Sequence, residues 1–138
     1  MTEKEYLKRG YEMEVKIKAN LEYLSSLRTM ATRTNSMLSG MPGANGVNKS
    51  RQEDIVIKIT MMEEEINKDL EQLKLLKDEI KETIDSIEKP KERLVLSLRY
   101  VFMLTWEEIA TAMMCSLRYV YILHKRALAN VKIPGDSF

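Results

Sequence analysis

A cationic and aromatic surface is expected on one short helix of this sequence, residues 117–129. Arginine can bond guanine at two points in the major groove of DNA, and lysine and tyrosine can contact phosphate or sugar. No acidic residue lies in this helix, so its cations would attract a polyanion and no carboxylate on the same helix would repel it. The residues predicted to contact double-stranded DNA are Ser116, Leu117, Arg118, Tyr119, Tyr121, Ile122, Lys125 and Arg126.

The position of each side chain along the helix suggests its task. Arg118 lies in the first turn and is best placed to reach a base edge, whereas Lys125 and Arg126 lie two turns later and are expected at phosphates. His124 is expected at the side of the same face. Since a charge run can also be the solvated face of an ordinary helical domain, the surrounding elements decide between the two interpretations.

Two helix-start signals and a short break position this helix. Thr105–Glu108 has the pattern of a capping box, which begins one helix. Met114 and Cys115 form the break, and Ser116 is a good N-cap for the next helix. A short helix, a tight turn and a longer helix form the helix-turn-helix pattern of DNA-binding proteins. The positions expected to face the core are Trp106, Ile109, Ala110, Met113, Val120, Leu123, Ala127 and Leu128.

A third helix is expected to precede these two, from Pro90 to about Met103. Proline lacks a backbone N–H and suits the first turn of a helix, so the string IEKPKER predicts the start of a C-terminal domain, residues 90–138. The buried face of this helix is predicted to hold Leu94, Leu98 and either Val101 or Phe102.

A long amphipathic helix is expected from about Thr2 to Thr34. Its apolar positions alternate at spacings of four and three, which is typical of a coiled-coil seam. Asn20 either fixes the register of this seam at some cost in stability, or is exposed while Leu21 packs in its place. The seam is predicted to hold Tyr6, Gly10, Met13, Ile17, Asn20, Leu24, Leu27 and Ala31.

A second long helix is expected from near Arg51 to Glu88, after a glycine-rich loop over residues 35–50. The two long helices bury their stripes most simply as an antiparallel hairpin over residues 1–89, and because two helices make a thin core, a homodimer is predicted. The fold class is therefore all-α, with a coiled-coil hairpin followed by a three-helix domain. The stripe of the second helix holds Ile55, Ile59, Met62, Ile66, Leu70, Leu73, Leu76, Ile80, Ile84 and Ile87.

Composition and charge restrict the class of function. Residues 90–138 hold 7 basic and 4 acidic residues, whereas residues 1–89 hold 15 and 17, so the positive charge is concentrated in the C-terminal domain. One cysteine and one histidine provide no metal-ligand set, and no cofactor is expected. No nucleophile lies near a base in the pattern, so no enzyme is expected. A single cysteine, which cannot form an internal disulfide, fits a reducing cytosol, and no apolar run approaches membrane-spanning length.

The stretch LSLRYVFMLTWEEIATAMMCSLRYVYILHKRAL resembles the DNA-reading C-terminal region of bacterial sigma factors. The resemblance implies a sigma-like helix-turn-helix domain. In sigma factors the positions that match Leu117, Arg118 and Ile122 contact promoter bases and are mostly polar, whereas Leu117 and Ile122 are apolar here. Apolar side chains could meet thymine methyl groups or another protein. The matching positions are Leu98, Arg99, Tyr100, Glu107, Glu108, Ile109, Ala110, Ser116, Val120, Arg126, Ala127 and Leu128.

The whole chain also resembles a family of small proteins of undefined function from phages and prophages of Gram-positive bacteria. The shared motifs lie at Glu5–Leu7, Leu38–Pro42, Met62–Asn67 and Tyr119–Leu128. The resemblance implies a transcriptional regulator similar to phage late-gene regulators, acting in the cytosol of the bacterial host on DNA, with host RNA polymerase as a candidate partner. Two alternatives stay open: a DNA-packaging assembly protein similar to a small terminase subunit, and a module that docks on polymerase or a sigma factor without reading DNA.

Overall fold

The computed structural model describes residues 1–38 and 45–135, and the side chains of residues 1–33 and 50–135. Every regular element in this part of the chain is helical, which confirms the prediction of an all-α protein. The elements are α1 (Glu3–Leu38), α2 (Asn45–Asp85), α3 (Pro90–Leu96), a π-helical turn (Ser97–Val101), α4 (Trp106–Met113) and α5 (Leu117–Ala129).

The loop predicted over residues 35–50 is helical at both of its ends. Helix α1 continues to Leu38 and α2 begins at Asn45, so residues 35–38 and 45–50 are helical. Asparagine and serine disfavour a helix only weakly, and neither glycine nor proline interrupts residues 35–38. The rest of the predicted loop, with most of the LSGMP motif, lies outside the described residues.

The chain divides into two compact units, and the division differs from the predicted boundary at residues 89 and 90. Unit 1 comprises residues 1–13 together with the chain from Leu73 onward, and unit 2 comprises Glu14–Gln72. The difference has a physical cause in unit 1, where the first turns of α1 and the end of α2 complete the core of the C-terminal helices. This core holds Tyr6, Leu7, Ile80, Ile84, Ile87, Val95, Leu96, Tyr100, Ile109, Val120, Leu123, Ala127 and Val131.

Gly10 shows how closely α1 approaches the connection between the π-helical turn and α4 in unit 1. A Cβ atom at this position would lie 3.3 Å from Cε of Met103 and 3.9 Å from Cδ1 of Ile80. A side chain here would therefore crowd its neighbours. The sequence pattern placed Gly10 on the seam, where it is weak for packing, and the close approach explains why glycine fits there.

The predicted buried face of the third helix is correct in part, since Leu98 and Val101 are half-buried and pack against the core. Val95, Leu96 and Tyr100 are buried, whereas Phe102 is 67% exposed and Leu94 is also exposed. The correct stripe begins at Glu92, four residues before Leu96, and a buried glutamate is not an expected core residue. Its burial is compensated because Nδ2 of Asn130 donates a hydrogen bond of 2.8 Å to Oε2 of Glu92.

In unit 2 the described parts of α1 and α2 bury the predicted stripes on each other. Its buried apolar residues are Ile17, Leu24, Leu27, Ile55 and Ile66. Asn20 is half-buried with its Nδ2 enclosed, whereas Leu21 is 47% exposed. The alternative in which Asn20 is exposed and Leu21 packs in its place is therefore wrong.

Ion pairs across unit 2 join α1 to α2. Nζ of Lys16 lies 3.2 Å from Oδ2 of Asp69, and a guanidinium nitrogen of Arg28 lies 3.0 Å from Oε1 of Glu63. As the residue number rises on α1, that of its partner falls on α2. Asp69 is buried, and Leu70, which was predicted on the stripe, is exposed instead.

Candidate functional site

The start of α4 follows the capping box that the sequence predicts. Oγ1 of Thr105 accepts a hydrogen bond from the backbone N–H of Glu108, and Oε1 of Glu108 accepts one from the N–H of Thr105, both at 3.2 Å. Two of the N–H groups that lack partners inside a helix are thereby satisfied. The cap therefore fixes the residue at which α4 begins.

The connection between α4 and α5 is a turn over 114–116. Met114 adopts the left-handed conformation (φ 54°, ψ 46°), and the backbone N–H of Cys115 donates to the carbonyl oxygen of Ala110. Ser116 is extended, and its Oγ accepts from the N–H of Tyr119 at 3.1 Å. The predicted break and the predicted N-cap are both confirmed. Val120, which is fully buried, fixes the rotation of α5 about its own axis.

The rotation of α5 presents most of the predicted contact residues to solvent. Tyr121 is 45% exposed and Ile122 is 38% exposed. Ser116, Arg118, Lys125 and Arg126 are also exposed, and Leu117 and Tyr119 are half-buried. The helical period divides these residues into two sets, each on its own side of α5. One set is Arg118, Tyr121, Ile122 and Lys125, and the other is Tyr119 and Arg126.

Tyr119 and Arg126 border a cleft between α5 and the start of α3, hereafter the α3–α5 cleft. Nζ of Lys91 lies 5.9 Å from the centroid of the Tyr119 ring. Lys89 and Lys91 were not among the predicted site residues, because the sequence around Pro90 was interpreted only as a boundary. The signal that could have found them is the string KPK beside a helix start. The cleft is lined by Lys89, Pro90, Lys91, Glu92, Tyr119, Leu123 and Arg126.

His124 does not lie at the side of the exposed face, as the sequence suggested, but is only 8% exposed. Its Nε2 is 2.6 Å from the hydroxyl oxygen of Tyr100, and its ring centroid is 4.7 Å from that of Trp106. Burial lowers the pKa of His124 to about 4, with smaller contributions from nearby cations. The imidazole is therefore neutral at pH 7 and adds no charge to the surface.

Arg99 and Trp106 contact each other at the start of α4, and these contacts are internal to the protein. The guanidinium carbon of Arg99 lies 4.1 Å from the centroid of Trp106, and one of its nitrogens donates to the carbonyl oxygen of Leu104 at 2.9 Å. The same guanidinium lies 5.2 Å from the centroid of Tyr11. Trp106 is thus part of the core, as predicted, and Arg99 is taken up by internal contacts.

The described residues contain neither a cluster of metal ligands nor a membrane-spanning helix. No group of three or more histidine, cysteine, aspartate or glutamate side chains could hold a metal ion there. Across residues 1–38 and 45–135, no helix has the length and apolar character needed to cross a membrane. Cys115 is half-buried in the turn before α5.

Comparison with known proteins bears on the family of the chain. Neither the curated proteins nor the solved structures gave a match. A family model described as a protein of unknown function, DUF1492, matches residues 35–132, which include α2, α3, α4 and α5. The match agrees with the expectation of a family whose function is undefined. The chain belongs to the DUF1492 family.

Proposed function

We propose that this protein is a DNA-binding transcriptional regulator of phage or prophage origin that acts in the cytosol of its bacterial host. In this proposal α3, α4 and α5 form a sigma-factor-like helix-turn-helix domain. The observation that carries the proposal is the exposed side of α5, where Arg118, Tyr121 and Lys125 stand free of any acidic neighbour on the helix. It follows a tight turn with a helix cap on each side, which is the arrangement that places a recognition helix in a major groove.

The residues of α5 divide into two tasks under this proposal. Arg118 lies in the first turn, where recognition helices contact base edges, and its guanidinium can bond guanine at two points. Lys125 lies two turns later and contacts phosphate, which positions the helix without reading sequence. Ile122, exposed between them, meets a thymine methyl group.

Replacing Arg118 with alanine is expected to reduce the preference for the specific site over random DNA by roughly ten- to a hundredfold, since one bidentate arginine contributes about 1–3 kcal/mol of discrimination. Fluorescence anisotropy over a salt series measures this ratio, with fragments that flank the coding sequence as probes. Arg33→Ala, which removes an exposed arginine of α1, is the matched control and should leave the ratio unchanged. Equal binding to every fragment by the unmodified protein would refute sequence-specific regulation.

The long helices supply the second half of the proposal, an antiparallel coiled-coil hairpin that forms a homodimer. The falling order of ion-pair partners along α2 supports the antiparallel direction, and the buried stripes support the coiled coil. A two-fold dimer would read half-sites separated by one helical turn of DNA or a multiple of it.

Light scattering is expected to give a mass of twice the 16.1 kDa of one chain. Contact between two copies would bury apolar side chains that are exposed in a single chain, such as Leu21 and Leu70. A ring of many copies would instead favour a DNA-packaging assembly protein. A monomer at micromolar concentration would contradict the dimer.

The exposed apolar side chains of α5 favour one further candidate, a module that docks on RNA polymerase or a sigma factor. Tyr121 and Ile122 present apolar area that a protein partner could cover as readily as DNA could. A polymerase pull-down separates the two functions. Capture that persists in the Arg118→Ala, Lys125→Ala double variant would favour docking, and its loss would favour DNA reading.

A further inference from the structure

We infer that the α3–α5 cleft binds the phosphodiester backbone of DNA beside the groove that α5 enters. Lys89, Lys91 and Arg126 supply the cations, and Tyr119 supplies a hydroxyl donor. The inference rests on the proposed function and adds to it a second surface, contributed by α3, that the recognition helix alone does not provide. Phosphate contacts of this kind fix the position and register of a protein on the duplex.

The backbone at Pro90 explains how two lysines come to line the rim of the cleft. Pro90 stands at the first position of α3, and Lys89 before it is extended (φ −81°, ψ 119°). Lys89 therefore lies outside the helix and Lys91 in its first turn, so their side chains leave the chain in different directions. Both are exposed. Their ammonium groups can reach successive phosphates rather than one point.

Helix α5 forms the opposite wall of the cleft. Tyr119 and Arg126 are seven residues apart on one side of α5, which separates them by about 10 Å along the axis, or roughly three base-pair steps. Leu123, buried between them, packs in the core of unit 1 together with Val95 and Leu96 of α3 and so holds α5 beside α3. The two walls therefore belong to one packed core, which holds α3 and α5 side by side.

The charges in the cleft are not neutralised by the protein. Glu92 also lines the cleft, but it is buried and its Oε2 accepts the hydrogen bond from Asn130. Among the described residues, Lys89, Lys91 and Arg126 form no ion pair within 4.0 Å. Exposed cations on both walls, with no ion-pair partner among the described residues, complement the negative charge of a DNA backbone.

The test replaces Lys89 and Lys91 together with glutamine and measures DNA binding over a salt series. Each phosphate contact contributes about 0.9 to the slope of log affinity against log salt, so the double variant should reduce that slope by roughly 2. Specific and random DNA should weaken by the same factor, because phosphate contacts carry no sequence information. The control is Lys68→Gln, Lys74→Gln, which removes the same charge from exposed positions of α2.

The outcomes separate this inference from the function on which it rests. If the unmodified protein binds no DNA, the proposed function itself fails. If the unmodified protein binds a specific site and the Lys89, Lys91 variant has the salt slope of the control, the cleft is not a backbone site and the function stands. Competition by inorganic phosphate far beyond that of chloride at equal ionic strength would also overturn the inference, because it would assign the cleft to a free anion.

Discussion

Tyr100→Ala is expected to destabilise unit 1 by about 3–5 kcal/mol, the usual cost of removing a large aromatic side chain from a core. Tyr100 is among the largest fully buried side chains of the described residues, and its ring contacts those of Tyr11 and His124. Such a loss is comparable with the whole stability of a small domain. Urea unfolding followed by the fluorescence of Trp106, the single tryptophan of the chain, reports on this unit.

Two further variants define what the loss at Tyr100 means. Tyr100→Phe keeps the ring but leaves Nε2 of His124 without its partner, so it should cost about 1–3 kcal/mol. Tyr23→Ala removes a tyrosine that is 47% exposed and should change stability by no more than about 0.5 kcal/mol. If Tyr100→Ala proved as mild as Tyr23→Ala, the core of unit 1 would have to be packed differently.

Acid is expected to destabilise the protein through His124 between pH 6.5 and pH 4. The pKa of His124 is lowered from 6.5 to about 4, chiefly by burial and further by Lys4, Arg99 and Lys8. The unfolded chain therefore takes up the proton at a higher pH than the folded one. The stabilisation is complete above pH 6.5, is lost as the pH falls towards 4, and amounts to about 3 kcal/mol over that range.

The measurement is simple because the chain has one histidine. Proton NMR should show one imidazole that titrates near pH 4 in the folded protein, and a value near 6.5 would contradict its burial. His124→Gln removes the titrating group while keeping an acceptor for the hydroxyl of Tyr100. Because the two proteins differ only at residue 124, the free energy of unfolding should depend less steeply on pH in this variant.

The local structure of the candidate site was predictable because its signals lie within a few residues of one another. Thr105 and Glu108 are three residues apart, and their capping box needs no distant partner. Ser116 likewise caps α5 through Tyr119, three residues later. The periodic stripes of α1 and α2 were predictable for the same reason, since a helix repeats its apolar face along its own length.

What the sequence did not predict depends on contacts between distant residues. The burial of Glu92 was missed because Asn130, which compensates it, lies 38 residues away. His124 is buried by Tyr100 and Trp106, which no pattern within α5 could indicate. Lys89 and Lys91 line a cleft with residues of α5 because the tertiary fold brings α5 beside the start of α3. A helix pattern identifies a polar face, but only the tertiary fold shows which polar groups remain at the surface.

The packing of Tyr6 and Leu7 against residues such as Val95 and Val120 has a consequence during protein synthesis. These partners are about a hundred residues apart in the chain, so at a ribosomal rate of roughly 5–20 residues per second they emerge on the order of ten seconds apart. During that interval the apolar side chains of Tyr6 and Leu7 have no native partner among the C-terminal helices. Unit 1 therefore completes its core only after α5 has emerged, and a nascent chain stalled before α5 would still expose the surface that α5 covers.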